Sequence, residues 1–145
     1  MKRICSYLIV LVSVVLAGCA SGPSFKEASS SFAPLAADKG RIYFYRTAIV
    51  GAAVQPAIYL NENAVGKATP KGFFYIDMAP GNYEVKATTE AENKLTFTLE
   101  AGQTRYVRLD MRMGLFVGHV VPILVDSKEA SDAIQETSYT GKGSF

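Results

Sequence analysis

The 145-residue chain reads as an all-β protein, an antiparallel β-sandwich of about seven strands with a short C-terminal helix. Three observations lead there. From Gly40 onward, short segments alternate apolar and polar residues with a period of two. Clusters of Gly, Pro and Asn separate them about every eight to twelve residues, the spacing of a sandwich rather than of a βαβ array. No stretch before residue 127 carries the 3.6-residue apolar period long enough to make a helix of ordinary length.

The first segment, residues 1–18, is not part of that fold. Lys2 and Arg3 precede an uncharged run from Ile4 through Leu16, followed by small residues at Ala17 and Gly18. A helix needs about 20 apolar residues to cross a bilayer core, more than this run offers, so it reads as a secretory signal rather than a permanent span. The four residues Leu16-Ala17-Gly18-Cys19 resemble the bacterial lipobox, in which small side chains before the cysteine leave room for a thioether-linked lipid and a peptidase. The resemblance implies cleavage before Cys19, a diacylglyceryl thioether on its sulfur and an acyl chain on its amine. Burial of about 0.8 kcal/mol per methylene then holds the protein on a membrane without a transmembrane helix. With Ala20 and Ser21 rather than aspartate after the cysteine, the same resemblance implies the periplasmic leaflet of the outer membrane.

Loss of the signal changes the charge. The 15 basic residues fall to 13 once Lys2 and Arg3 are removed, against 13 acids, so the mature side chains balance. Nucleic acid, which calls for a clustered basic surface, is not an expected partner. Cys5 lies in the signal and Cys19 is acylated, so no thiol remains for a disulfide, a zinc site or a nucleophile. Apart from the covalent lipid, no cofactor is expected.

Residues 19–40 are rich in Ser, Ala, Gly and Pro and read as a lipidated N-terminus and flexible tether, with an r.m.s. span of roughly 25 Å. Phe25, Phe32 and Leu35 are the residues that would let it dock instead. The sandwich is expected over residues 41–136. Tyr43 and Tyr45 oppose Ile42 and Phe44, and Ile58 and Leu60 share a face. Phe74, Ile76 and Met78 oppose Phe73, Tyr75 and Asp77, while Tyr83, Val85 and Ala87 oppose Glu84, Lys86 and Thr88. Leu95, Phe97 and Leu99 continue the pattern, as do Val107, Leu109 and Met111.

Ala79-Pro80-Gly81-Asn82 suits a type II turn, with Gly81 at positive φ. Asn61-Glu62-Asn63 and Ala101-Gly102-Gln103 are further hairpin candidates. Ser127 is placed to cap a short helix that turns Ala130, Ala133 and Ile134 inward. Residues 137–145 read as a loose tail.

The segments Gly40-Arg41-Ile42-Tyr43-Phe44-Tyr45-Arg46, Ile58-Tyr59-Leu60-Asn61 with Val65-Gly66, Gly72-Phe73-Phe74-Tyr75 and Pro80-Gly81-Asn82-Tyr83 resemble an uncharacterised bacterial lipoprotein family built on domain of unknown function 2846. The middle of the chain is also similar to PEGA-type modules, small sandwiches of transthyretin-like topology. These resemblances imply a non-catalytic envelope module. In them Asn63 stands where Gly would be commoner.

The residues give no independent case for catalysis. The sole histidine, His119, has no serine in a nucleophile setting and no Gly-x-Ser-x-Gly to serve. Asp77 and Asp110 lie on polar strand faces and read as solvated rather than as an acid–base pair.

Contact surfaces are a better prospect. Residues 47–55 form an unusually apolar loop, in which Ile49, Val50 and Val54 are candidate contacts. Residues 113–125 carry His119 as their only ionisable group and read as a doubly buried strand with a bulge at Gly118, or otherwise as an apolar contact patch of a protein or membrane interface. If the alternation holds, Tyr43, Tyr45, Tyr59, Phe73 and Tyr75 face away from the core with Arg41, Arg46 and Arg108; such residues are more often covered by the terminal helix or a second sheet, and if left open they form a surface suited to a protein partner or to stacking sugars. The expected function is that of a lipid-anchored, non-enzymatic module that binds an envelope protein. Peptidoglycan or another glycan, or a secretion apparatus in the outer membrane, is the alternative setting.

Overall fold

A computed structural model describes residues 20–89 and 93–143. The signal over 1–18, with Leu16, Ala17 and Gly18, and the acylation site Cys19 lie outside the described residues.

The chain forms α1 (Phe25–Ser29), β1 (Gly40–Tyr45), β2 (Ala57–Leu60), β3 (Asn63–Lys67), β4 (Gly72–Met78), β5 (Gly81–Ala87), β6 (Lys94–Leu99), β7 (Thr104–Met113), β8 (Gly118–Val125), α2 (Ser127–Ala133) and β9 (Ser138–Lys142). Two sheets, ordered β8-β7-β1-β4-β9 and β3-β2-β5-β6, face each other in an all-β sandwich. Ile42, Phe44, Phe74, Ile76, Val107 and Leu109 from the first meet Ile58, Leu60, Val85, Phe97 and Leu99 from the second. Each sequence alternation thus delivers one face to this core.

The five-stranded sheet is mixed rather than antiparallel. β1 runs parallel to β7 and antiparallel to β4, and β4 runs parallel to β9. Every residue of β1 is buried, as expected of a central strand covered on both faces. Its second cover is a further layer outside the two sheets. Residues 20–39 and α2 lie on the outer face of this sheet, where Phe25, Phe32, Ala28, Ala130 and Ile134 pack on Tyr43, Tyr45, Phe73 and Tyr75.

The tether expectation is therefore corrected over residues 20–39. The Ser24 hydroxyl accepts from the Glu27 amide, and the Glu27 carboxylate accepts from the Ser24 amide, a capping box that starts α1. The Ser24 hydroxyl also donates to the Glu27 carboxylate at 2.7 Å, and this bond, with that from the Ser24 amide, holds the Glu27 carboxyl below its usual range. Arg41 holds the later part of the segment, donating through Nη2 to the Ala33 carbonyl at 2.9 Å. The tail expectation is corrected too. Residues 138–142 form edge strand β9, and the Tyr139 amide donates to the Pro23 carbonyl at 2.8 Å. A Cβ on Gly22 would lie 1.9 Å from the Tyr139 carbonyl oxygen, so this crossing requires glycine there.

The turn residues mark breaks correctly but not where the chain goes next. Asn61 (φ 46°) and Glu62 (φ 69°) make the tight β2–β3 hairpin. The left-handed positions are therefore these two, and Asn63 already belongs to β3. Asn61 suits its site, accepting from the Glu84 amide at 2.7 Å through Oδ1. Pro80-Gly81 and Ala101-Gly102 instead carry the chain from one sheet to the other. Gly102 has the positive φ of a tight turn, 74°, whereas Gly81 starts β5 outside the left-handed region, so the type II reading fails. Asp126, not Ser127, caps α2, accepting from the Glu129 amide at 2.9 Å. The inward residues Ala130, Ala133 and Ile134 are as expected.

Candidate functional site

β1 and β7 end where β4, β8 and β9 begin. One end of the sandwich therefore gathers the connections 46–56, 68–71 and 114–117. Ala20, the first described residue, lies at this end as well, its amide donating to the Pro70 carbonyl at 3.0 Å.

Arg46 organises the connection after β1. Its side chain is fully buried. Nη1 donates to the carbonyls of Val54 (2.7 Å) and Ala68 (2.8 Å), and Nη2 to those of Val50 (2.9 Å) and Gly51 (3.0 Å). Burial pushes the guanidinium pKa down, and four carbonyl dipoles compensate the charge. The loop is thus pinned from beneath, which leaves Ile49 55% and Val50 68% exposed. Gly51 lies close against Met111 of β7: a Cβ there would come within 3.0 Å of the Met111 Cε, tighter than an ordinary contact.

Beside it, the β7–β8 hairpin closes through the Gly114 amide and the Val117 carbonyl at 2.9 Å. Leu115 and Phe116 at its tip are 96% and 93% exposed. The expectation of a doubly buried strand over 113–125 therefore holds only in part. β8 starts at Gly118 in regular register with Met113, without a bulge there, and the residues before it project from the fold. The uncharged run flanked by Gly114 and Gly118 was the signal, and an exposed tip reads the same as a buried strand by hydropathy alone.

An open groove of ≈ 650 Å³ lies between these connections and the four-stranded sheet. Val54, Tyr59, Ala87, Thr88 and Val117 line it, with Lys86 and Glu62 paired at 2.7 Å on one side. A mainly apolar floor with a few fixed polar groups is the usual form of a binding cleft, and its size is within the common range.

Of the two readings of the aromatic face, the open surface fails and the covered one holds for Tyr43, Tyr45, Phe73 and Tyr75. The alternation is right and the tyrosines do leave the main core, but Tyr43, Tyr45, Tyr75 and Phe73 are buried under α1 and α2. Phe25 lies 5.2 Å from Phe73 and Phe32 4.5 Å from Tyr75, centroid to centroid. Burial accordingly pushes the Tyr43 and Tyr45 hydroxyls above their usual range. Of the seven contact candidates, Val54 and Tyr59 line the groove, Ile49 and Val50 are exposed, and the remaining three tyrosines are core residues.

The arginines expected beside them are structural. Arg41 pairs with Asp77 through Nε (2.6 Å) and Nη2 (2.9 Å) and lies 4.4 Å over the Tyr75 ring. The Asp77 carboxylate holds the Arg41 guanidinium protonated far above its ordinary range. Arg108 joins Asp110 at 2.7 Å and also bonds Glu129, which ties α2 to β7. Asp77 and Asp110 are thus each engaged by an arginine rather than solvated. Among the described residues, no group of three His, Cys, Asp or Glu could hold a metal ion, and no helix is long and apolar enough to cross a membrane.

The fold and its loop end define a small two-sheet sandwich with one face covered by residues 20–39 and α2 and, among the described residues, its large exposed apolar side chains gathered at one end. The chain belongs to the family described as protein of unknown function (DUF2846), which it matches over residues 36–120. An uncharacterized protein of Haemophilus influenzae is 27% identical over 133 residues, covering 88% of this chain and 79% of the relative. No solved structure matches. The family match begins after α1 and ends within β8, so residues 20–35 of the N-terminal cover, α2 and β9 lie outside it.

Proposed function

We propose that this protein is a lipid-anchored, non-enzymatic module of the bacterial cell envelope, held by an acylated Cys19 at the periplasmic leaflet of the outer membrane, where it binds another envelope component, a protein. The observation that carries this reading is the adjacency of anchor and domain. Leu16-Ala17-Gly18-Cys19 runs directly into Ala20, whose amide is already fixed on Pro70. A bilayer-seated cysteine would therefore hold the sandwich against the membrane, without the roughly 25 Å span of a free tether.

The groove is the partner contact, because it combines apolar lining with a fixed ion pair on the surface, and because it lies at the anchored end. The glycan alternative rested on outward tyrosines. With Tyr43, Tyr45 and Tyr75 in the second core, that observation no longer favours it.

The test is fractionation of cells that carry a photo-crosslinking residue at exposed Thr88. The intact protein is expected in the membrane pellet, crosslinked to an envelope protein. The Cys19→Ala chain is expected in the soluble periplasmic fraction with the adduct lost or reduced. An intact chain in the soluble fraction would sink the anchor, and a membrane-bound chain that forms no adduct would sink the groove.

A further inference from the structure

The residue that follows the acylation site and the exposed apolar side chains lie at the same end of the sandwich. Ala20 sits on Pro70, just before β4, near one edge of the five-stranded sheet. Leu115 and Phe116 tip the β7–β8 hairpin at the opposite edge, and Ile49 and Val50 stand on the connection from the central strand β1. From the start of β4 to the middle of the β7–β8 hairpin there are two and a half inter-strand spacings of ~4.8 Å, so anchor and tip are separated by ~12 Å across that end.

We propose that Leu115, Phe116, Ile49 and Val50 insert into the bilayer that holds the Cys19 acyl chains, and that the sandwich stands on the membrane in one fixed orientation. This rests on the anchored reading above and deepens it. A single anchor leaves a domain free to tumble about its attachment. Three points spread over one end define a plane.

The chemistry matches a lipid surface. Residues 113–117 contain no charge or side-chain hydrogen-bonding group, so their insertion desolvates little beyond apolar surface. Arg112, exposed directly before them, falls where it can meet anionic headgroups while its stem follows the tip. Exposed apolar side chains concentrated in this way mark an interaction surface, and the lipid is the occupant that the neighbouring anchor would already bring within reach. The groove then opens at headgroup level, where a membrane-seated partner would meet it.

The chain contains no tryptophan, so one substitution gives a clean probe. Full-length lipidated protein carrying Phe116→Trp is reconstituted in vesicles of phosphatidylethanolamine and phosphatidylglycerol, with and without brominated acyl chains. Ile49→Trp serves as a second reporter, and Ala101→Trp, at the opposite end, as the control. The expected result is a blue-shifted emission at 116 and 49, most of it lost with brominated lipid, and an unshifted, unquenched emission at 101.

Vesicle-bound protein with water-like, unquenched emission at 116 and 49 overturns the insertion and leaves the anchor standing. A blue shift without bromolipid quenching means that protein, such as a second copy, covers the tip, which also overturns it. Protein that carries no lipid and leaves the vesicles overturns the anchored reading and this inference together.

Discussion

Arg46→Ala will lower the unfolding free energy of the mature chain by about 3–4 kcal/mol, seen as a fall in the urea midpoint at unchanged m-value. The guanidinium satisfies four carbonyls, those of Val50, Gly51, Val54 and Ala68. A buried carbonyl without a donor costs about 1–3 kcal/mol, and water entering the vacated space recovers part of the total. Arg46→Lys should recover only part of the loss, since an ammonium offers three donors from one atom and cannot reproduce the planar fork. A change below about 1 kcal/mol for Arg46→Ala would mean that the loop satisfies its carbonyls without this side chain. The functional consequence is local as well as global, because the same bonds set the conformation that exposes Ile49 and Val50.

Phe73→Ala should cost about 3–5 kcal/mol, the range for truncating a fully buried aromatic residue. Phe73 is completely buried and lies within 5.2 Å of the Phe25 ring and 5.3 Å of the Tyr139 ring, centroid to centroid. It therefore supports the N-terminal cover and the final strand at once. Beyond the loss in stability, amides of residues 25–32 should exchange faster than those of the main core, measured by hydrogen exchange in the native state. Equal acceleration everywhere would show that the cover has no independent stability. Release of this cover would turn residues 20–39 into the free tether that their composition suggests, and would let the sandwich stand away from its anchor.

The period-two alternation was legible because each strand sends one face to the inter-sheet core, and period two reports that face directly. Strand partners were not legible. β1 lies between β4 and β7, more than 25 residues downstream in each case, and no local pattern distinguishes a hairpin from a crossing between sheets. Pro80-Gly81 and Ala101-Gly102 show the difficulty, since both have the composition of hairpin turns and both join opposite sheets.

The N-terminal cover is hard to see in the sequence for a compositional reason. Three apolar residues among many small polar ones fall below what periodicity detects, although Ser24-x-x-Glu27 did carry a capping-box signature. The candidate site depends on the same cover. Period two places Tyr43, Tyr45 and Tyr75 on the second face of the sheet, but it does not say whether that face is covered. Ile49 and Val50 needed no such context, because a loop as apolar as residues 47–55 departs from the solvated norm wherever it is placed. The Arg46 bonds had no sequence signal, since backbone carbonyls are the same at every residue.

The central claim is that Cys19 is the anchored first residue of the mature protein. The most direct measurement is mass spectrometry of the N-terminal peptide from intact protein isolated from membranes. The account predicts a peptide that begins at Cys19 and carries the added mass of a diacylglyceryl thioether and an amide-linked acyl chain. A peptide that begins at Met1, or a processed one without lipid, would contradict it.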